Sequence, residues 1–256
     1  MKVTVLGCGT SGGVPQVGIG WGDCDPDEPR NRRRRASILV EVDDVTILID
    51  TSPDCREQLL DANVRHLDAV LFTHAHADHC HGIDDLRWLC HAMKSEIPVY
   101  GDVETLSDLK HRFEYCFTPL DPKAGRYFYK PVLTPHIIND PFEIKGIKII
   151  PFIQDHGHSI SLGFRIGNFA YSTDVVELSE DAFYVLHGIE TWIVDALQLD
   201  EHSTHAHLDK TLNWINRVRP RHAIITHMNT RMDYQTLCKE LPDHVEPAYD
   251  GLVLDI

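Results

Sequence analysis

Thr73-His74-Ala75-His76-Ala77-Asp78-His79-Cys80-His81-Gly82 holds several side chains that bind metal ions. It follows Asp68-Ala69-Val70-Leu71-Phe72, an apolar run that reads as a buried strand. In extended backbone His74 and His76 point the same way and can share one ion. Asp78 and His79 are adjacent and diverge, so they can serve a second ion beside the first. Gly82 then frees the backbone before a helix. A polar loop that happens to be rich in histidine is the plainer alternative, but His-x-His-x-Asp-His at a strand exit is rare by chance.

The elements around this stretch are those of a chain that buries a large core. The 256 residues are 43% hydrophobic and fit one domain spanning residues 1–256. The formal net charge of −15 argues against a long nucleic-acid footprint, because phosphate contacts need lysine and arginine. A small anionic substrate held by metal ions remains compatible with it. Seven scattered cysteines without a Cys-x-x-Cys pair suit reduced thiols in the cytoplasm. No stretch approaches the length of a membrane span. The first apolar run is too short for a signal peptide.

Along the chain, residues 2–7 read as a strand, and Gly7–Pro15 as a glycine-rich loop. That loop is either a phosphate cradle or a tight turn. Residues 16–35 form a long loop ending in a run with five arginines, Arg30 and Arg32 to Arg35, which is either a solvated face or a phosphate clamp. A hairpin spans 36–49. Ser52 is placed as N-cap and Pro53 as first residue of a helix to about Ala62. Further helices are expected at 83–93, 103–113 and 207–218, and strands at 98–101, 142–145, 147–153, 161–166, 169–172, 192–196 and 222–226. Residues 116–141, rich in proline and aromatics, read as a lid or a partner-facing insertion.

The His-x-His-x-Asp-His motif resembles the signature of the metallo-β-lactamase superfamily. That resemblance implies an α/β fold, a four-layer αββα sandwich with two metals at the sheet edges. It also implies three later ligands from strand exits: His156, with His158 as rival, then Asp174 and His227. His74, His76 and His156 are thereby assigned to one metal, Asp78, His79 and His227 to the other, and Asp174 bridges. Nitrogen and oxygen ligands without thiolate permit Mn, Zn or Fe. Asp195 and Asp209 are candidates to orient these ligands.

Within the superfamily the chain resembles the PhnP-like phosphodiesterases. The shared pieces are Gly9-Thr10, Gly13-Val14-Pro15, Trp21-Gly22, Arg32-Arg33 with Ser37, Pro98–Gly101, Gly163-Phe164, Ser172–Asp174, Thr226-His227 and Asp250-Gly251. The resemblance implies a hydrolase of small cyclic or nucleotide-like phosphodiesters that works through a hydroxide shared by two metals. Catalytic roles fall to His205 and Asp78, and substrate binding to Arg32, Arg33 and His205. The chain departs from the pattern at the family's structural zinc, held by Cys-x-Cys-x-x-Cys and a late histidine. It has Asp23, Cys24, Asp25, Glu28 and Thr230 there, so no structural zinc is expected. The loop must then be fixed otherwise, for instance by carboxylate–arginine pairs. Other classes to weigh are a tRNA 3′-processing nuclease and a PqqB-like or di-iron non-hydrolytic protein. A homodimer is compatible with this reading, and neither long nucleic acid nor membrane is expected as partner.

Overall fold

A computed structural model describes residues 1–121, 123 and 128–256. The first sheet contains β1 (Lys2–Gly7), β2 (Ser37–Val42), β3 (Val45–Ile49), β4 (Ala69–Leu71), β5 (Ile97–Gly101), β6 (Leu133–Ile137) and β15 (Val253–Asp255), in the order β15-β1-β2-β3-β4-β5-β6. The second contains β7 (Phe142–Ile144), β8 (Ile147–Asp155), β9 (Ile160–Ile166), β10 (Phe169–Ser172), β11 (Glu177–Leu178), β12 (Thr191–Asp195), β13 (His222–Thr226) and β14 (Val245–Pro247). Its main path runs β11-β8-β9-β10-β12-β13-β14, with β7 paired to β8.

Residue alternation explains the layering. Successive strand side chains point to opposite faces. Val3, Val5, Ile38, Val40, Ile47, Ile49, Ala69 and Leu71 join one buried cluster with Ile149, Phe164, Ile166 and Trp192 of the second sheet. Their intervening neighbours Leu6, Leu39, Leu48 and Val70 join another with Leu59, Leu86, Leu106 and Leu109. Both faces of the first sheet are therefore apolar and covered. The outer cover is α1 (Cys55–Asp61), α2 (Ala77–Cys80), α3 (Arg87–Met93), α4 (Val103–Arg112) and α5 (Glu114–Phe117). On the other side, α6 (Glu180–Leu186), α7 (Leu208–Val218) and α8 (Tyr234–Glu240) contribute buried apolar residues to the first cluster. The result is the expected αββα sandwich.

Two expectations need correcting. The first helix begins at Cys55 with Asp54 as N-cap, and Ser52 lies two residues earlier. The Ser52 hydroxyl instead accepts from the Asp54 N–H and donates to Gln58 Oε1, so a turn uses it before the helix can. The stretch 116–141 is not a detached insertion. Leu133–Ile137 pairs in parallel with β5 as an edge strand, where Pro135 is tolerated, and Val132 and Leu133 are buried. Pro122 and residues 124–127 of that stretch lie outside the described residues.

The loop 16–35 is pinned by a polar clasp. Asn31 Nδ2 donates to Asp233 Oδ2 at 2.7 Å, and Asn31 Oδ1 accepts from the Tyr234 N–H at 2.8 Å. Glu28 pairs with Arg30, accepts from Gln235, and its carboxyl is lowered to about 2 chiefly by the Arg30 hydrogen bond. Arg30 lies over the Tyr234 ring at 4.1 Å. At the centre the Arg33 guanidinium, 2% exposed, donates to Asn31 Oδ1 and the Asn229 carbonyl and stands 4.0 Å from Cys24 Sγ. Carboxylate–arginine pairing does hold this loop, with a buried cation at the middle.

Candidate metal centre

The metal-type side chains gather at one edge of the sandwich, where the strands end. His74 and His76 leave β4, and α2 carries Asp78 and His79. Thus half of the motif is a short helix rather than a loop. Gly82 serves close approach, not positive φ: a Cβ there would collide with the Ser52 carbonyl. The second sheet brings His156 from the end of β8, Asp174 from beyond β10 and His227 from beyond β13.

Asp174 stands at the middle and its two oxygens face different groups. Oδ1 lies 3.8 Å from His74 Nε2 and 3.6 Å from His156 Nε2, which is itself 3.3 Å from His76 Nδ1. Oδ2 lies 3.0 Å from His79 Nε2 and 3.4 Å from His227 Nε2, and Asp78 Oδ2 is 3.2 Å from the same His79 nitrogen. Donor atoms of His74, His76, His156 and Asp174 form one group within 4.8 Å of one another, and those of Asp78, His79, Asp174 and His227 form a second. The exposed His158 is in neither.

The donor chemistry fits two cations. Among the described residues His74 Nε2 is buried without a hydrogen-bond partner, and His79 Nε2 faces the Asp174 and Asp78 carboxylates. The far nitrogens are anchored: His74 Nδ1 meets Thr73 Oγ1 at 3.0 Å, His79 Nδ1 meets Asp50 Oδ2 at 2.7 Å, and His156 Nδ1 meets the Thr204 carbonyl at 2.8 Å. Such anchors fix which nitrogen faces an ion. Burial, reinforced by His79, drives His74 well below the ordinary histidine range, and burial also lowers His156, so both keep a free lone pair. Burial opposes a charge on His79, yet Asp174, Asp78 and Asp50 together raise it well above that range. This convergence of carboxylates suits divalent ions.

Asp50 is a member of the site that sequence reasoning does not single out. Besides holding His79 it accepts from the Thr73 N–H and hydroxyl at 2.8 Å each, tying β3 to the metal stretch. Its position just after an apolar strand is the signal shared with Asp174 and His227, and the same rule would find it. All three have left-handed backbone, with φ of 65°, 54° and 60° at Asp50, Asp174 and His227. Non-glycine residues there are strained and cluster at functional sites.

His205 stands beside the cluster, with Nε2 3.8 Å from Asp174 Oδ1 and Nδ1 2.9 Å from Asp195 Oδ2. Burial would lower this imidazole, but the charge and hydrogen bond of Asp195 outweigh it and push it up to about 9. Asp195 is fully buried and also accepts from the Val175 N–H. Asp209 is exposed in the first turn of α7, and His207 is that helix's N-cap without a side-chain cap bond. The arginines separate. Arg34 pairs with Asp61 and Asp250, Arg35 with Asp54, and Arg33 is consumed by the clasp, so it does not present a guanidinium to a substrate. Arg32 is exposed, lies 5.3 Å from the Trp21 ring, and has no carboxylate partner among the described residues. The glycine-rich loop is a packing device: a Cβ at Gly7 would strike the Arg35 carbonyl, and one at Gly9 would lie 2.9 Å from that of Arg33.

Comparison with known proteins agrees with this geometry. Residues 45–228 match the beta-lactamase superfamily domain. An octanoyltransferase of Porphyromonas gingivalis is 32% identical over 98% of this chain but is matched over 51% of its own length, so the chain spans about half of that relative. The crystal structure of a diphosphatase from the PhnP family superposes with a TM-score of 0.90 at 33% identity, covering 99% of this chain and 96% of that one. Zinc-bound PqqB from Methylobacterium extorquens superposes at 0.77 with 20% identity over the whole of both chains. Human short-form tRNase Z gives 0.67 at 16% identity, over 100% of this chain and 99% of that one. At those identities the last two share the fold alone.

Proposed function

Because the chain belongs to the beta-lactamase superfamily domain family, we propose that it is a two-metal hydrolase of small phosphodiesters, cyclic phosphates and nucleotide-like diesters included. His74, His76 and His156 would hold one ion, Asp78, His79 and His227 the other, with Asp174 between them. Divalent ions there, Mn or Zn with Fe also suited to these donors, supply Lewis acidity to phosphoryl oxygens and a nucleophile available near neutral pH.

The observation that carries the reading is the Asp195–His205 pair beside Asp174. The Asp195 carboxylate favours the protonated form of this imidazole. Its Nδ1 is fixed by Asp195, so Nε2–H is the group free to donate to a phosphoryl or leaving oxygen. Arg32, without a carboxylate partner among the described residues, is the guanidinium assigned to the substrate phosphate in this reading. The likeness to a PhnP-family diphosphatase supports phosphoryl chemistry and adds small diphosphates to the substrates worth testing. The net charge of −15 disfavours a tRNA-processing role. Six of seven cysteines are buried and all are free, which suits a reducing cytoplasm.

The test is a panel of cyclic nucleotides, bis-aryl phosphates and dinucleoside diphosphates assayed with Mn or Zn. Turnover of a diester is expected, and none on any member would sink the proposal. His205→Ala should lower kcat about 10²–10⁴-fold with both metals still bound. His207→Ala serves as the control outside the cluster. Activity lost in that control and kept in the His205 variant would move the acid to His207.

A further inference from the structure

On the outer face of the helical layer a cleft of about 590 Å³ opens between α1 and α3. No residue of the metal cluster lines it. Its walls are apolar: Leu59, Leu60, Val64, Trp88, Leu89 and Ala92. Two of these, Leu60 at 58% and Trp88 at 61%, are far more exposed than residues of their size need be in a chain with this much core. Ligand sites of small molecules have volumes of about 300–1,000 Å³, apolar walls and a few convergent polar groups.

The polar groups here are cationic. Arg56, Arg65 and Arg87 line the cleft with Asp84 and Asp85. Asp84 is occupied as acceptor for the Tyr115 hydroxyl, and Arg56 is paired with Glu57. Burial raises the Asp85 carboxyl, while the backbone N–H of Arg56 and the charges of Arg56 and Arg87 act the other way. Arg65 donates only to the neutral Asn63 side chain, and Arg87 lies beside the Trp88 ring with its Nε buried and unpartnered. Neither has a carboxylate partner among the described residues. Elsewhere in this acidic chain Arg30, Arg34, Arg35, Arg217 and Arg231 all have one. Two guanidinium groups without a close ion pair among the described residues, Arg65 and Arg87, the latter only at longer range from Asp85, stand at the rim of an apolar cleft and are matched by a molecule with an anionic head and an aliphatic tail.

We propose that the cleft between α1 and α3 binds a single-chain anionic amphiphile, its carboxylate or phosphate head between Arg65 and Arg87 and its tail over Leu60 and Trp88. The head takes charge-assisted hydrogen bonds from both arginines. The tail removes Leu60 and Trp88 from water. Affinity should therefore rise about fourfold per methylene, which corresponds to the transfer of one CH₂ from water. This site is separate from the metal centre, and its occupancy does not depend on the hydrolase reading.

Titrations of the metal-loaded chain with octanoate, decanoate, decyl phosphate and decyltrimethylammonium, below micelle-forming concentrations, test the proposal by calorimetry and tryptophan fluorescence. The expected result is one saturable site for the three anions, tighter for decanoate than octanoate, with a Trp88 signal that Trp88→Phe removes. Arg65→Ala and Arg87→Ala should each weaken decanoate at least tenfold. Arg65 is exposed, so its variant reads the site even if Arg87→Ala folds poorly. Absence of saturable binding, equal binding of the cationic amphiphile, indifference to chain length, or undiminished affinity in Arg65→Ala would each overturn it.

Discussion

Two loop regions of this molecule solve one problem in opposite ways. The metal centre and the clasp around residues 16–35 each join a segment of the first sheet's side to the turns after β13. In the metal centre, carboxylates and imidazoles converge, and among the described residues the buried His74 Nε2 has no hydrogen-bond partner. In the clasp, the cation belongs to the chain: Arg33 sits in the middle and its neighbours Asn31 and Asn229 accept from it. Donors that converge on one another, with no lysine or arginine among them, suit an ion from solution. A set that faces a guanidinium is complete when the chain has folded.

The largest effect should come from the centre's bridging carboxylate. Asp174→Ala removes the group facing the imidazoles of His74, His79, His156 and His227, so metal content per chain should fall and hydrolysis should be lost. Unchanged metal content would show that Asp174 holds neither ion. Asp250, which accepts from the N–H groups of Arg34 and Cys8, ties the end of the clasp loop to the turn after β1 and comes next. Burial raises its carboxyl from 3.8 to about 6. The fold therefore favours its protonated form. That contribution is fully present below pH 3.8 and is lost as pH rises through about 6. A rise of this size is worth about 3 kcal/mol. Urea unfolding of the parent and of Asp250→Asn at pH 4 and pH 7 should show the variant gaining on the parent as pH rises. Parallel curves would mean that Asp250 titrates alike in both states.

Arg33→Met should cost about 1–3 kcal/mol, since buried acceptors lose their donor. Metal content should stay the same. A drop in both would show that clasp and centre are one unit. Cys24→Ser is the smallest expected change, within about 0.5 kcal/mol and with the same metal content. Loss of one metal equivalent in that variant would place an ion in the clasp after all.

The contrast also shows what a sequence displays. The cluster residues stand at strand exits after apolar runs, so type, spacing and setting agree for His74, His76, Asp78, His79, His156, Asp174 and His227. Asp50 obeys the same rule but escapes notice, because a lone aspartate before Thr-Ser-Pro also reads as a helix start. The clasp offers no such pattern. Five arginines in a short run look interchangeable until the fold buries one, pairs three and leaves Arg32 free, and that sorting depends on Asp54, Asp61, Asp233 and Asp250 from distant positions. Pro135 and the aromatics around it hide β6, because an edge strand needs only one bonded side. Family pattern alone places His205, and its tie to Asp195 becomes visible only in the structure.

The pairing of β1 with β15 bears on how the chain is made. Val3 lies against Leu254, so strand neighbours in the first sheet come from opposite ends of the chain. At synthesis rates of roughly 5–20 residues per second, β1 spends on the order of 10–50 seconds with one edge bare. An unpaired edge is a template for wrong partners, and the charged Lys2 on β1 is the kind of residue that discourages them. The centre follows the same calendar. His74 to His79 emerge early, but His156, Asp174 and His227 come in turn from the second sheet, so an ion arriving early finds only the first half of its shell. The centre is complete only once both sheets are in place, because its ligands come from each.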